Sequence, residues 1–255
     1  MRVIVTRPAG EAGRWLGALR ARGFDAVALP LMAIAPVSDA AALREAWAGV
    51  ARARAVMFVS GNAVRHFFAV QPCGGTWPAG TRAWAPGPGT REALLEVGVD
   101  AALVDSPAAS AAQFDSETLW RQVAAQVHPG DRALIVRGGD AQGASSGRDW
   151  LADQLAAAGA KVELVVAYRR GAPEFNPAQL QQASEAVDAG DVWLFSSSQS
   201  ISHLRAALPQ QDWSRARAVA THARIADAAR RAGFGVVCES RPAVDSVVAA
   251  LESFR

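Results

Sequence analysis

Small polar residues and arginines follow most of the short β-branched runs of this 255-residue chain. Such residues expose backbone N–H groups, and a helix that starts there adds its dipole, so the position suits an anion. Ligands of open parallel sheets bind beyond the carboxyl ends of the strands. The candidate binding residues are therefore Thr6, Arg7, Ser60, Gly61, Asn62, Gly87, Thr90, Ser106, Arg137, Gly138, Ser197, Ser198, Thr221 and Ser240.

Each of these residues also has a purely structural interpretation. Serine, threonine and asparagine before a helix are commonly N-caps. Arg7 and Arg137 would bind carboxylates of a ligand through the guanidinium fork, or would each pair with a neighbouring carboxylate or carbonyl of the protein. The recurrence of the set in both halves of the chain favours ligand binding.

Composition argues against several classes of protein. The net charge is +2, Lys161 is the only lysine, and no basic cluster with interleaved aromatics indicates nucleic-acid binding. Cys73, Cys238 and the four histidines lack metal-ligand spacing, so we expect no metal and inert thiols. Gly87-Pro88-Gly89-Thr90 lacks the lysine of a P-loop, and no nucleotide or other cofactor is expected.

The elements that must position these residues alternate between strands and helices. Helices are predicted at 9–22 and 149–158, each closed by a glycine, and after Asn176-Pro177, an N-cap followed by a first-turn proline. This alternation predicts an α/β fold with mostly parallel sheets. Strands are predicted at 3–6, 27–31, 56–60, 82–86, 101–104, 132–136, 162–166, 192–196, 217–221 and 235–238.

The chain repeats itself once at an offset of about 135 residues, which indicates two duplicated halves. Val56–Asn62 returns as Val192–Ser198, and Arg82–Ala85 returns as Arg217–Ala220. Sequence alone permits two pairings of the repeated units, in simple succession or as an insertion. The extended runs 27–37 and 162–170 are long enough to cross between domains, and they favour an inserted domain at 35–170 within a discontinuous domain of 1–34 and 171–255.

The succession of these motifs resembles the uroporphyrinogen-III synthase family. The resemblance covers nearly the whole chain and includes the segments VTRPAGEAGRW, VALPLMAIAP, FVSGNAVRHFF, AWAPGPGTREALLEVG and WLFSSSQSISHL. It implies two flavodoxin-like domains joined by a two-stranded linker, with crossings near 34–37 and 167–171, and an active site in the cleft between them. The alternative is a non-catalytic two-domain protein that binds an acidic small molecule.

The activity implied by the resemblance is the cofactor-free cyclisation of hydroxymethylbilane, a linear tetrapyrrole with eight carboxylates, with inversion of the last pyrrole. The family typically has a tyrosine where Tyr168 stands, and its phenol would donate a proton or hydrogen bond to the departing hydroxyl. The ring could instead only pack the linker. At Thr221-His222 the chain departs from the Gly-Pro-Thr-Thr-type turn that the family often has, which leaves the roles of Thr221 and His222 open.

The remaining expectations concern location and partners. No apolar run has the length of a membrane span, and Met1–Arg7 is typical of a first strand rather than a signal peptide. We therefore expect a cytoplasmic monomer that binds its small-molecule substrate, neither membrane nor nucleic acid, with possible hand-over from the preceding pathway enzyme. Gly143–Gly147 is interpreted as a flexible loop that closes over the ligand.

Overall fold

The structure, a computed structural model, describes residues 1–145 and 149–254. Contacts divide the chain into two compact units. The terminal unit combines Met1–Ile34 with Gly171–Arg255, and the inserted unit comprises Ala35–Arg170.

Strands and helices alternate along both units. The strands of the described residues are β1 (Arg2–Val5), β2 (Asp25–Ala28), β3 (Ala33–Pro36), β4 (Ala55–Phe58), β5 (Arg82–Trp84), β6 (Val104–Asp105), β7 (Arg132–Gly139), β8 (Lys161–Gly171), β9 (Val192–Phe195), β10 (Arg217–Ala220) and β11 (Val236–Glu239). The α-helices are α1 (Ala9–Arg20), α2 (Ala41–Gly49), α3 (Gly61–Phe68), α4 (Pro88–Glu96), α5 (Ser116–Val123), α6 (Trp150–Ala157), α7 (Pro177–Asp188), α8 (Ser198–Ala207), α9 (Ala223–Arg231) and α10 (Val244–Glu252).

The terminal unit is built on a parallel five-stranded sheet in the order β2-β1-β9-β10-β11. Because side chains alternate between the faces of a strand, each strand supplies two cores. Val3 and Val5 pack with α1 and α10 on one face, and Ile4 packs with α7, α8 and α9 on the other. Helices therefore cover both faces, as parallel sheets require.

The inserted unit is built on a six-stranded sheet in the order β3-β8-β7-β4-β5-β6. Its pairs from β8 to β6 are parallel. One face packs against α5 and α6 through Leu119, Leu151 and Leu155. On the other side of the strands an aromatic cluster holds α2 and α3, with Trp47 4.9 Å from Phe67 and Phe58 5.6 Å from Phe67 between ring centroids.

The mixed α/β fold with parallel sheets agrees with the sequence prediction. Gly23 and Gly159 end their helices at positive φ, 78° and 83°, and Asn176 forms a capping box with Gln179. Two predicted strands differ. The run 27–37 contains two strands, β2 and β3, separated by residues 29–32, which include Pro30. Residues 101–103 form a 3₁₀ turn, capped by Asp100, before the short strand β6.

A buried carboxylate fixes the start of the terminal unit's sheet. Asp191, directly before β9, has a side chain only 3% exposed. It accepts hydrogen bonds from the backbone N–H of Arg2 at 2.8 Å and from its Nε at 2.9 Å. The two residues are 189 positions apart, so this pair holds the first strand against the far half of the chain.

We expect Asp191→Asn to lower the free energy of unfolding by about 1.5–3 kcal/mol, because hydrogen bonds to a buried charged group are lost or weakened. Urea unfolding followed by circular dichroism measures the change. Asp227→Asn is the matched control, since Asp227 pairs with Arg230 on the surface of α9; a loss within about 0.5 kcal/mol is expected there. Equal effects of both variants would contradict the role given to Asp191.

Candidate functional site

Tyr168 is at the centre of a polar cluster in the inserted unit. It lies in β8, its side chain is buried, and its phenolic oxygen is 3.0 Å from the Oγ of Ser60. Ser60 directly precedes α3 and caps it, because its Oγ accepts the backbone N–H of Ala63 at 3.2 Å. The structure thus joins the predicted catalytic residue to a predicted binding residue 108 positions away.

Gly138 makes room for the Tyr168 ring. The two residues are paired across β7 and β8, next to a register shift between Arg137 and Gly138. A Cβ atom on Gly138 would lie 2.6 Å from Cζ of Tyr168 and 2.8 Å from its hydroxyl oxygen. Any side chain at 138 would therefore displace the phenol from Ser60.

His66 completes this cluster and was not among the residues selected from the sequence. Its imidazole stacks on the Tyr168 ring at 5.7 Å between centroids and an interplanar angle of 23°. Burial lowers the pKa of His66, and the charge of Arg65 lowers it further. The His66 imidazole that stacks on Tyr168 therefore stays neutral down to a lower pH than an exposed imidazole would. The only signal for His66 in the sequence was its position, six residues after a serine that precedes a helix.

The N-termini of α3 and α4 lie side by side. A Cβ on Gly61 would be 3.5 Å from the Gly89 carbonyl oxygen and 3.5 Å from the Ala93 Cβ, so the two helix starts are neighbours. Gly87 caps α4 ahead of Pro88, Thr90 is buried in the first turn, and Phe114 covers Gly87. Asn62 lies in the first turn of α3. These N–H-rich ends follow neighbouring strands β4 and β5, as the sequence predicted.

Ser106 and Arg137 lie at other strand ends of the same sheet. Ser106 follows β6, and its buried Oγ has no hydrogen-bond partner in the described part of the chain. Arg137 lies within β7, and its Nη1 donates to Asp149 at 2.5 Å. The observed partner is thus the neighbouring carboxylate that the structural interpretation of Arg137 anticipated, but its Nε remains buried without a partner among residues 1–145 and 149–254.

In the terminal unit, three predicted residues stand in a row at the carboxyl edge of the sheet. The backbone N–H groups of Thr6, Thr221 and Ser240 bond to the neighbouring strands, at Leu194, Phe195 and Ala220. These bonds keep the strand ends level with one another. Thr6 and Thr221 are buried, and the Thr6 hydroxyl donates to the Leu194 carbonyl at 2.7 Å, so its proton is used within the fold.

Helix caps account for the next residues of that edge. Ser197 caps α8 by accepting the N–H of Gln199 at 3.2 Å, and Ser198 is the first residue of the helix. His222 caps α9 through Nδ1, which accepts the N–H of Arg224 at 3.1 Å. This structural role for His222 was left open by the sequence.

Arg7 is partly buried beside the first helix. Its guanidinium carbon lies 4.5 Å from the centre of the Trp15 ring, and its Nη1 donates to Glu11 at 3.2 Å. Burial lowers the pKa of Arg7, while Glu11 opposes that change and Arg14 adds to it. Like Arg137, Arg7 pairs with a carboxylate of its own unit.

No group of three or more histidine, cysteine, aspartate or glutamate side chains among the described residues is arranged to hold a metal ion. No helix of the described chain is long and apolar enough to cross a membrane. Ser146 and Gly147 of the predicted closing loop lie outside the described residues.

Parallel sheets flanked by helices define the class, an α/β protein, and the carboxyl edges of such sheets are where these folds bind their ligands. The sequence model of uroporphyrinogen-III synthase HemD matches residues 13–249. The chain belongs to the uroporphyrinogen-III synthase family, whose members are cyclising lyases of tetrapyrrole biosynthesis. The resemblance predicted from the sequence is confirmed.

Solved structures agree with this fold. A mutant uroporphyrinogen III synthase from the extremely thermophilic bacterium Thermus thermophilus is 20% identical, with a TM-score of 0.58, and the match covers 100% of this chain and 98% of that one. The uroporphyrinogen-III synthetase of Helicobacter pylori 26695 is 13% identical with a TM-score of 0.58, over 100% of both chains. At these identities the likeness concerns the fold.

We expect Gly138→Ala to destabilise the protein by about 1–3 kcal/mol, because the added methyl group overpacks the contact with Tyr168. Urea unfolding measures the loss. Gly17→Ala is the control: Gly17 lies on the exposed side of α1, and a Cβ there would have nothing within 4 Å. That variant is expected to gain up to about 1 kcal/mol from helix propensity. A stabilised Gly138→Ala variant would refute the close contact.

Proposed function

We propose that this chain is a working uroporphyrinogen-III synthase that closes hydroxymethylbilane to uroporphyrinogen III with inversion of the last pyrrole. The observation that carries the proposal is the family match over residues 13–249. The polar carboxyl edges of both sheets support it, because a substrate with eight carboxylates needs many N–H and cationic partners. The match favours the enzyme over a non-catalytic binding protein.

The proposal includes two flavodoxin-like domains that correspond to the two units. The strand orders of the two sheets support this assignment. They are β2-β1-β9-β10-β11 in one sheet and β8-β7-β4-β5-β6 in the other. The first sheet has the flavodoxin order. In the second sheet the β7-α6-β8 pair occupies the corresponding place but comes after β4, β5 and β6 along the chain, so the order is a circular permutation of the first. β3 and β8, where the chain passes between the units, are the proposed two-stranded linker. An active site between the domains, a monomeric state and hand-over from the preceding enzyme stay predictions.

In the proposed reaction, the terminal C–O bond breaks with help from the pyrrole nitrogen, and the hydroxyl leaves as water. The resulting azafulvene is attacked by the substituted position of the last pyrrole, and the spiro intermediate fragments and recloses in the inverted sense. The free substrate closes without inversion. A hundredfold preference for one closure requires about 2.7 kcal/mol, which many weak contacts can supply.

Tyr168 is the proposed proton donor to the departing hydroxyl. Ser60 Oγ accepts the N–H of Ala63, and in its 3.0 Å contact with the phenolic oxygen either hydroxyl can be the donor. When the serine O–H donates, Ser60 does not consume the tyrosine proton. The candidate binding residues are proposed to contact carboxylates or pyrroles of the substrate through side chains and backbone N–H groups. They are Thr6, Arg7, Ser60, Gly61, Asn62, Gly87, Thr90, Ser106, Arg137, Gly138, Ser197, Ser198, Thr221 and Ser240.

The purified chain is expected to convert hydroxymethylbilane to uroporphyrinogen III without any added cofactor. Products are oxidised and the isomers separated by chromatography, with an enzyme-free reaction as the control. Formation of the type I isomer alone, as in that control, would refute the proposed function.

Tyr168→Phe is expected to lower turnover by about 10²- to 10⁴-fold if the phenol acts as a general acid. It should cost only about 1 kcal/mol of stability, the net value of one hydrogen bond. Turnover and melting temperature are measured together. Thr81→Val is the matched control, because it removes a buried hydroxyl that donates to Val50 elsewhere in the same unit. Turnover of Tyr168→Phe within about threefold of the parent would reject the catalytic role.

A further inference from the structure

The hydroxyl end of the Tyr168 ring is restrained by two neighbouring elements. A Cβ atom on Gly138 would lie 2.6 Å from Cζ of the ring, so the β7 backbone passes close to this end. The Oγ of Ser60 is 3.0 Å from the phenolic oxygen. Both contacts concern the hydroxyl end, yet Tyr168 as a whole is only 4% exposed. The face of the ring is therefore shielded by a further side chain.

His66 covers the face of the phenol. Its imidazole lies 5.7 Å from the Tyr168 ring between centroids, and the two planes are inclined by 23°. Offset, nearly parallel rings with centroids about 4.5–7 Å apart attract each other beyond the burial of their surfaces. The phenol cannot rotate about its axis without displacing the imidazole, so the stack restrains its orientation.

One helix supplies both the partner of the hydroxyl and the stacked ring. Ser60 is the N-cap of α3, and His66 lies in the second turn of that helix. Phe67 of the same turn packs on Phe58 of β4, at 5.6 Å between ring centroids, which fixes the helix on the sheet. The spacing of the two contacts with the phenol is thus set by a rigid element.

The charge state of His66 also suits this position. Burial lowers the pKa of His66, and the charge of Arg65 lowers it further. Arg65 itself lies 3.8 Å from Glu96 of α4. A cationic ring on the phenol would favour the phenolate, which has no proton to donate. A neutral imidazole orients the phenol and leaves its proton in place.

We propose that His66 is a positioning residue for Tyr168, and that its stacked imidazole holds the phenolic hydroxyl beside Ser60. The inference rests on the proposed function, in which this hydroxyl donates a proton to the departing group of the substrate. His66 takes no part in the bond changes and acts through the phenol. The requirement at position 66 is therefore a flat, uncharged ring, which phenylalanine supplies and alanine does not.

The restraint is measured without turnover, on the full chain. Tyr168 is the only tyrosine among the 255 residues, so isotope-labelled tyrosine gives the ring signals of a single residue. NMR exchange between its two ε positions reports the rate of ring flips. We expect flips about three- to tenfold faster in His66→Ala, the range set by one stacked aromatic pair, and the parent rate in His66→Phe. Equal rates in His66→Ala and the parent would overturn the inference.

Kinetics test whether the restraint serves the reaction. We expect kcat for hydroxymethylbilane to fall about ten- to hundredfold in His66→Ala, since a displacement of about 1 Å can cost that much, while KM stays near the parent value. His66→Gln, a second variant without an aromatic ring, should behave alike, and His66→Phe should recover most of kcat. Alanine and glutamine both favour helices, so α3 is retained. His128→Ala, at a 69% exposed side chain, is the control without effect.

A double substitution separates positioning from a general loss of stability. Because His66 acts through the phenol, His66→Ala should lower kcat no further in a Tyr168→Phe background. Melting temperatures are recorded for the single and double variants. An additional loss of kcat in the Tyr168→Phe background, or equal losses in His66→Phe and His66→Ala, would contradict the positioning role.

The outcomes separate this inference from the proposed function. Faster ring flips in His66→Ala, together with no uroporphyrinogen III from the parent chain, would support the restraint by His66 and refute the proposed function. Normal turnover of the parent, with unchanged kcat in His66→Ala, would support the function and overturn the inference.

Discussion

Parallel registration of the strands is the constraint on which the candidate sites depend. Because neighbouring strands run in the same direction, all their carboxyl ends meet at one edge of each sheet. Backbone bonds from Thr6, Thr221 and Ser240 to adjacent strands keep these ends level in the terminal unit. In the inserted unit the same registration carries Tyr168 to Ser60 across 108 positions of sequence. Both polar edges follow from strand direction rather than from any single motif.

The residues at these edges combine structural and proposed functional roles. Ser60, Ser197 and His222 satisfy the first N–H groups of helices, which would otherwise lack partners. Caps hold side chains at fixed places, and a helix start keeps its positive dipole directed beyond the sheet. The structural and binding interpretations of a capping serine are therefore compatible: Ser60 caps α3 and is also a proposed binding residue.

Tyr168 shows how closely the fold surrounds its most distinctive side chain. Gly138 leaves space for the ring, Ser60 contacts its hydroxyl, and His66 stacks on its face. In its proposed catalytic role, a phenol restrained on three sides would lose little further freedom on meeting the substrate. The proposed reaction depends on selecting one ring closure, for which a difference of about 2–3 kcal/mol is sufficient.

The sequence by itself determined the α/β class, most strand positions, three of the helices and the family, because these depend on local periodicity, caps and ordered motifs. Gly23, Gly159 and the Asn176 cap ended or began helices as their local chemistry dictates. The stacking of His66 on Tyr168, the space left by Gly138 and the partners of Arg7 and Arg137 were decided by the tertiary structure. These contacts depend on which strands become neighbours and on a register shift in β7, and hydrophobic periodicity carries no information about either.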